Sequence, residues 1–312
     1  MTPFAFVFPG QGSQSVGMLD AWGDHPAVRQ TLEQASTALG EDVARLIHEG
    51  PKDRLDLTTN TQPVMLTAGI ACYRAWIAET GAAPAAVAGH SLGEYSALVA
   101  AGALTLEDAL PLVRFRAQAM QDAVPVGVGA MAAILGLDAD AVRAGCAEAA
   151  SASGEAVEAV NFNDPRQTVI AGTKAGVERA CEVLKARGAK RALPLPVSAP
   201  FHSSLMKPAA ERLRERLADT PLVAPGIPVV NNVDVAVRDD PAAIRDALYR
   251  QAFAPVRWVE TVPALRARGL ARIIECGPGK VLSGMVKRID PEAVVGTVHD
   301  SASLAETRAL LA

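Results

Sequence analysis

The segment Gly89-His90-Ser91-Leu92-Gly93 has the Gly-x-Ser-x-Gly spacing of a nucleophile elbow. In such an elbow the serine sits on a tight turn between a strand and a helix, and glycine on either side lets the backbone bend without Cβ clashes. The residues from Glu94 onward predict a helix that ends near Gly102. The amide groups at the start of that helix would point toward the serine, where a developing oxyanion would need them.

The pentapeptide has a second interpretation, because a glycine-rich turn before a helix also uses serine as an N-cap. The preceding strand, Ala85–Ala88, contains only one β-branched residue, so its prediction depends mostly on the turn. Whether Ser91 is a nucleophile or a cap must therefore be decided by other residues.

A serine nucleophile needs a base, most often histidine. The chain has five histidines, at positions 25, 48, 90, 202 and 299. His202 follows the short, apolar, proline-containing segment Val197–Phe201, which could present one imidazole in a cleft between two domains. The alternative is a packed histidine in a connecting loop.

An acid that would orient His202 is not evident from the sequence. In α/β-hydrolases the triad acid lies between the serine and the histidine along the chain. Between Ser91 and His202, Asp164 is the only acid predicted to lie in a tight turn. Asp164-Pro165 is better explained as the turn of a hairpin. A standard α/β-hydrolase triad therefore fits this chain poorly.

The elements that must position these residues alternate between strands and helices, which predicts a largely parallel sheet. A strand over Phe4–Phe8 leads into a loop where Gln11 lies between two glycines and could approach a ligand, although an ordinary turn is equally consistent. Helices are predicted over about residues 26–48 and from Gln62-Pro63 to Trp76. A further helix, about 106–120, carries Arg116, which on its own is most simply a solvated charge.

The middle of the chain, residues 126–197, predicts the order β-α-β-β-α-β of a ferredoxin-like unit. We interpret it as a small subdomain inserted into a large α/β-hydrolase-like domain of residues 1–125 and 198–312. The expected fold class is therefore α/β, with a mostly parallel main sheet.

Composition limits the classes of function. The 312 residues are 50% hydrophobic and 21% charged, with a net charge of −4, and no basic cluster indicates nucleic acid as a partner. Scattered cysteines disfavour disulfides and zinc and fit a reducing compartment. With no signal peptide and no apolar run long enough for a membrane, we expect a cytoplasmic, monomeric protein without cofactor or metal.

Several motifs occur together in one order and resemble a known family. They are Phe-Pro-Gly-Gln-Gly-Ser-Gln (8–14), Gly-His-Ser-Leu-Gly-Glu (89–94), the Arg116 helix, Asn-Phe-Asn (161–163), Pro-Phe-His (200–202), Pro-Val-Val-Asn-Asn-Val (228–233) and Gly-Pro-Gly-Lys (277–280). Over essentially its whole length the chain resembles the malonyl-CoA:acyl carrier protein transacylases of type II fatty acid synthesis.

The resemblance implies a ping-pong transfer with malonyl-CoA and holo acyl carrier protein as partners. Ser91 would carry the malonyl group as an ester, and His202 would act as the base, oriented by the main-chain carbonyl of Gln251. The amide groups of Gln11 and Leu92 would form the oxyanion hole. A carbonyl in place of an acid would explain why no triad acid is evident.

The resemblance also assigns acyl recognition. Arg116 would bind the free malonyl carboxylate, because a planar guanidinium can hold a carboxylate bidentately. Gln62 and Asn161 are expected to line the cleft, although they could instead satisfy backbone groups. The chain departs from the usual family pattern at two positions near this site. Ala117 stands where many relatives have glycine, and Phe201 stands where some relatives have serine.

Two other functions are compatible with the same residues. A serine hydrolase would use Ser91 and His202 with water as the acceptor. A noncatalytic carrier-binding module would use neither residue chemically. Arg116 and the missing triad acid favour the transacylase.

Overall fold

The computed structural model describes residues 1–197 and 199–312. In chain order the strands are β1 (Ala5–Phe8), β2 (Ala86–Gly89), β3 (Gly129–Leu135), β4 (Val157–Asp164), β5 (Gln167–Thr173), β6 (Arg191–Pro194), β7 (Val229–Val230), β8 (Arg272–Cys276) and β9 (Val294–Val298). The helices are α1 (Pro26–Leu39), α2 (Val43–Glu49), α3 (Lys52–Leu55), α4 (Thr58–Thr80), α5 (Gly93–Ala100), α6 (Leu106–Asp122), α7 (Ala139–Ser153), α8 (Lys174–Ala186), α9 (Lys207–Asp219), α10 (Pro241–Gln251), α11 (Trp258–Ala267), α12 (Val281–Ile289) and α13 (Ser301–Leu311).

The fold is mixed α/β. A five-stranded sheet has the order β7-β2-β1-β8-β9, and its strand pairs are all parallel. The carboxyl ends of its strands therefore meet at one edge, which is where open α/β sheets bind ligands. β1, β2 and β7 are neighbours, so the residues that follow them are brought together at that edge.

The β1 sequence explains how this sheet is covered on both faces. Side chains alternate along a strand, so Phe4, Phe6 and Phe8 pack on one face, with the ring of Phe6 against Trp76 of α4. The opposite face carries smaller residues, among them Val7, in a separate core that includes Trp258 of α11. Burial on both faces is typical of a parallel sheet.

The second sheet is separate and antiparallel, with the order β4-β5-β3-β6. Helices α7 and α8 cover one of its faces. Its other face packs as a small cluster that includes Met131 and Val160. A short parallel bridge between Asn161 and Val256 joins β4 to the large part of the chain. The hairpin turn lies at Asp164, whose Oδ1 accepts the Arg166 N–H at 2.8 Å.

Several predicted boundaries were wrong. The single helix expected over 26–48 is two helices, because Gly40 at φ 64° ends α1 in a left-handed cap. α4 starts at Thr58, so Pro63 lies inside the helix rather than in its first turn. Of the motif Pro-Val-Val-Asn-Asn-Val (228–233), only Val229–Val230 forms a strand. None of the helices that the structure describes combines the length and the hydrophobicity of a membrane span.

Candidate active site

Ser91 lies on the turn between β2 and α5 with φ 51°, a conformation that non-glycine residues rarely adopt. A Cβ at Gly89 would lie 1.9 Å from the carbonyl carbon of Gly93, and a Cβ at Gly93 would lie 2.0 Å from the carbonyl oxygen of Phe8. Because the backbone segments approach this closely, both positions require glycine. The turn is thus a tight elbow that holds the serine at the carboxyl edge of the parallel sheet.

His202 completes a hydrogen-bonded pair with Ser91. Its Nε2 lies 2.7 Å from Ser91 Oγ, and its Nδ1 lies 2.8 Å from the main-chain carbonyl oxygen of Gln251. A carbonyl can only accept, so Nδ1 carries the proton and donates it to Gln251. Nε2 is then the lone-pair nitrogen that accepts from the Ser91 hydroxyl. His202 also has a positive φ, 65°, so this segment too is held in an uncommon conformation.

The protonation state of His202 suits a base. Burial lowers its pKa to about 3, with the positive charge of Arg116 as the second cause. The imidazole is therefore neutral at pH 7 and its Nε2 is available to receive a proton.

Arg116 brings a buried positive charge to the same point. The residue is 2% exposed, and its Nη2 donates to Ser91 Oγ at 3.2 Å and to Gln251 Oε1 at 2.9 Å. Its Nη1 donates to Gln62 Oε1 at 2.7 Å. In the part of the chain that the structure describes, the hydrogen-bond acceptors of Arg116 are thus all neutral side chains. A buried cation with neutral partners is suited to an incoming anion, since such a pair offsets the cost of burying both charges.

These side chains surround a cavity of about 110 Å³. Seven of the eight residues predicted for the site line it, namely Gln11, Gln62, Ser91, Leu92, Arg116, Asn161 and His202. The eighth, Gln251, is fully buried and contacts the site from behind. The apolar part of the wall includes Met131 and Phe201. The cavity therefore lies between the two sheets.

The elements explain why such distant residues meet. Gln11 follows β1, and Ser91 and Leu92 follow β2, so adjacent parallel strands deliver them to one edge. Arg116 lies on α6 and Gln62 on α4, two helices packed against each other. Asn161 comes from β4 of the second sheet, which forms the opposite wall.

Two residues behind the site were given no role by sequence reasoning. Asn232 accepts the Ser91 N–H through Oδ1 at 2.8 Å and donates from Nδ2 to the Gly89 carbonyl at 2.6 Å. Glu94, in the first turn of α5, is buried and accepts from Asn232 and Gln251. Two features of the sequence could have indicated them: Glu94 is the only charged residue of α5, and Asn232 comes shortly after a strand.

Comparison with known proteins decides the family. The model of the acyl transferase domain matches residues 5–306. The malonyl CoA-acyl carrier protein transacylase of Escherichia coli is 53% identical, with 98% of each chain covered. The chain belongs to the malonyl CoA-acyl carrier protein transacylase family. Members of this family are acyltransferases, and so is this chain.

Solved structures of the family agree in fold. The acyl-carrier-protein S-malonyltransferase of Burkholderia pseudomallei has a TM-score of 0.96 and 68% identity, with 98% of this chain and 99% of that one covered. A malonyl-transacylase solved in complex with a type II polyketide synthase acyl-carrier protein has a TM-score of 0.95 and 49% identity, with 97% and 98% covered. The mixed α/β architecture is thus that of the family.

Proposed function

We propose that the chain transfers a malonyl group from malonyl-CoA to the phosphopantetheine thiol of an acyl carrier protein through a malonyl ester on Ser91. One observation carries the proposal: a buried guanidinium, Arg116, donates to the oxygen that is paired with His202. A serine nucleophile beside an arginine is suited to an acyl group such as malonyl, because the serine can accept the acyl carbon while the arginine binds the free carboxylate at the other end.

In the first half-reaction, Ser91 Oγ attacks the thioester carbonyl while its proton passes to Nε2 of His202. The tetrahedral oxyanion forms beside Gln11 and Leu92, whose main-chain N–H groups would receive it. Collapse breaks the carbon–sulfur bond, and the imidazolium returns the proton to the CoA thiolate. The products are malonyl-Ser91 and CoA.

In the second half-reaction, the carrier's thiol gives its proton to the neutral His202 and its sulfur attacks the ester carbonyl. Collapse of the tetrahedral intermediate breaks the bond to Ser91 Oγ, which takes the proton back from Nε2. Because a thiol has a pKa near 8.5, its thiolate leaves far more readily than an amine does, and the thiol gives up its proton easily when it attacks. A neutral carbonyl from Gln251 is then sufficient to orient the imidazole, with no acidic third residue.

Arg116 would bind the malonyl carboxylate. Its guanidinium lies within hydrogen-bonding distance of Ser91 Oγ, so a carboxylate one methylene from the reacting carbonyl is within its reach. Gln62 contacts the same guanidinium and would hold it in place, and Asn161 would contact the acyl group from the opposite wall.

The names of the relatives support malonyl-CoA and an acyl carrier protein as the two partners. Relatives at 52% and 53% identity are called malonyl CoA-acyl carrier protein transacylases, and one solved neighbour is bound to an acyl-carrier protein. Supply of malonyl groups for fatty acid elongation is the corresponding role in the cell. The cytoplasmic location and the monomeric state stay predictions from the sequence.

We further propose that residues 126–197 form a ferredoxin-like subdomain inserted between residues 1–125 and 198–312 of an α/β-hydrolase-like domain. The order β4-β5-β3-β6 with antiparallel pairing, and two helices on one face, support this assignment.

Intact-protein mass spectrometry after brief exposure to malonyl-CoA tests the function. We expect a mass increase of one malonyl group, which disappears when holo acyl carrier protein is added and reappears on the carrier. Acetyl-CoA and methylmalonyl-CoA, run in parallel, measure the acyl preference. Adduct loss to water alone, with no malonyl-carrier formed, would indicate a hydrolase. Absence of any adduct would overturn the proposed mechanism.

A further inference from the structure

Glu94 is a buried carboxylate to which the transfer chemistry assigns no step. It is 2% exposed and lies in the first turn of α5, three residues after Ser91. Removing a carboxylate from water is costly unless its oxygens accept hydrogen bonds, so its partners indicate what it is for.

Within residues 1–197 and 199–312, both hydrogen-bond partners of Glu94 are residues that hold the catalytic pair. Its Oε2 accepts the main-chain N–H of Asn232 and the side-chain Nε2 of Gln251, each at 2.9 Å. Asn232 fixes the Ser91 N–H, and the Gln251 carbonyl fixes His202. One carboxylate oxygen thus connects the supports of the nucleophile and of the base.

The Gln251 amide also depends on this contact for its orientation. Its Nε2 donates to Glu94 and to the Ser91 carbonyl at 3.0 Å, so both N–H groups are directed away from Arg116. Its Oε1 is consequently the atom that faces Arg116 Nη2. The reversed amide would direct N–H groups at a guanidinium, which is itself only a donor.

We propose that Glu94 is a positioning residue of the acyl-transfer site, whose carboxylate oxygen holds Gln251 and Asn232 so that Arg116, His202 and Ser91 keep their reactive geometry. The inference rests on the proposed function, since it assigns Glu94 to that reaction.

The electrostatic setting agrees with an acceptor role. Burial raises the pKa of Glu94 to about 7. The hydrogen bonds from Gln251 and Asn232, and the positive charge of Arg116, each lower this pKa in part. Asp234 is the other charged group that acts on it, and it raises the pKa further. An oxygen that accepts two N–H groups retains this function as the neutral acid, because the carbonyl oxygen of a carboxylic acid also accepts.

The test measures the single-turnover rate constant of Ser91 acylation by malonyl-CoA and by acetyl-CoA, using rapid quench and intact mass. In Glu94→Ala the N–H groups of Asn232 and Gln251 lose their acceptor. We expect the malonyl rate constant to fall roughly tenfold to hundredfold, the range for buried hydrogen-bond donors left without a partner. The malonyl-to-acetyl ratio should fall as well, because Arg116 loses a fixed partner. Glu94→Gln, whose amide oxygen can accept both bonds, should recover most of the rate.

Glu275→Ala is the matched control. Glu275 is another fully buried carboxylate, and it accepts the main-chain N–H groups of Leu282 and Ser283 at the start of α12. Its removal should lower the melting temperature and the fraction of protein that forms adduct, with the rate constant of that fraction unchanged. A purely structural role for Glu94 would give the same result.

Unchanged rate constants and ratio in Glu94→Ala, or Glu94→Gln as slow as Glu94→Ala, would overturn the proposal. If Glu94→Ala yields no folded protein, Glu94→Asp replaces it, since a side chain shorter by one methylene moves the acceptor away and should be slower than Glu94→Gln. A wild-type protein that forms no malonyl adduct would instead refute the proposed function.

Discussion

Replacing Arg116 by alanine tests how the site selects its acyl group. Arg116 is buried and contacts Ser91, Gln251 and Gln62. Alanine removes the cation and leaves a space next to the reacting oxygen. A malonyl carboxylate would then be buried with no positive partner, whereas an acetyl group has no carboxylate to satisfy.

The size of the effect follows from this burial. Leaving one member of a buried ion pair without its partner costs about 3–5 kcal/mol, which corresponds to roughly 150- to 5,000-fold in kcat/KM for malonyl-CoA. Acetyl transfer involves no ion pair with Arg116. At the reacting atoms it loses the contact from Nη2 to Ser91 Oγ, and we expect a loss of about tenfold, the value of a single hydrogen bond. The malonyl-to-acetyl ratio should therefore fall by at least about tenfold.

The assay is transfer to holo acyl carrier protein from each donor. Removing Arg116 also removes a charge that lowers the pKa of His202, so that pKa should rise toward 6.5 in the variant. Measurements at about pH 8 keep the imidazole neutral in both proteins, since the unperturbed pKa of histidine is about 6.5.

Arg114→Ala is the matched control on the same helix. Arg114 is only partly buried and forms a bidentate pair with Glu41, at 2.7 and 2.9 Å. It does not line the cavity, and both transfer rates should stay unchanged. Equal losses of malonyl and acetyl transfer in Arg116→Ala would mean that Arg116 does not recognise the carboxylate.

Three further outcomes are expected. Ser91→Ala should form no malonyl adduct while its circular dichroism stays that of the wild type, and a persisting adduct would assign the ester to another residue. Because burial lowers the pKa of His202 to about 3, the acylation rate should show no histidine titration between pH 5 and pH 7, and a rate that halves near 6.5 would contradict the neutral, buried imidazole. Gly93→Ala places a Cβ 2.0 Å from the Phe8 carbonyl oxygen and should destabilise the protein by roughly 4 kcal/mol or more, measured by urea unfolding. Gly226→Ala, whose Cβ would have its nearest neighbour at 3.6 Å, should be tolerated.

Some features of the site were accessible from the sequence because they are local. The tight turn at Ser91 follows from two glycines at fixed spacing, and no long-range contact is needed to predict it. The spacing of Arg114 and Arg116 likewise places them on different faces of α6, where one reaches Glu41 and the other the cavity. The spacing does not tell which of the two faces is buried.

Element boundaries were less accessible, because tertiary contacts compete with local signals. Pro63 is a reasonable first-turn residue by itself, yet α4 begins at Thr58, whose hydroxyl donates to Gln11 in the loop after β1. The apolar run after Pro228 likewise forms a strand only over Val229–Val230. Asn231 instead turns back and donates to the Ala236 carbonyl.

The sequence by itself determined the elbow, the alternation of strands and helices, His202 as the candidate base, and the family resemblance that assigned roles to the remaining site residues. Only the tertiary structure decided that His202 Nε2 lies 2.7 Å from Ser91 Oγ, that Arg116 is buried, and that Glu94 accepts from both supporting residues. The physical reason is separation along the chain. Local propensity specifies a turn within a few residues, but 111 residues separate the serine from the histidine, and that contact forms only when parallel strands and packed helices close the cavity.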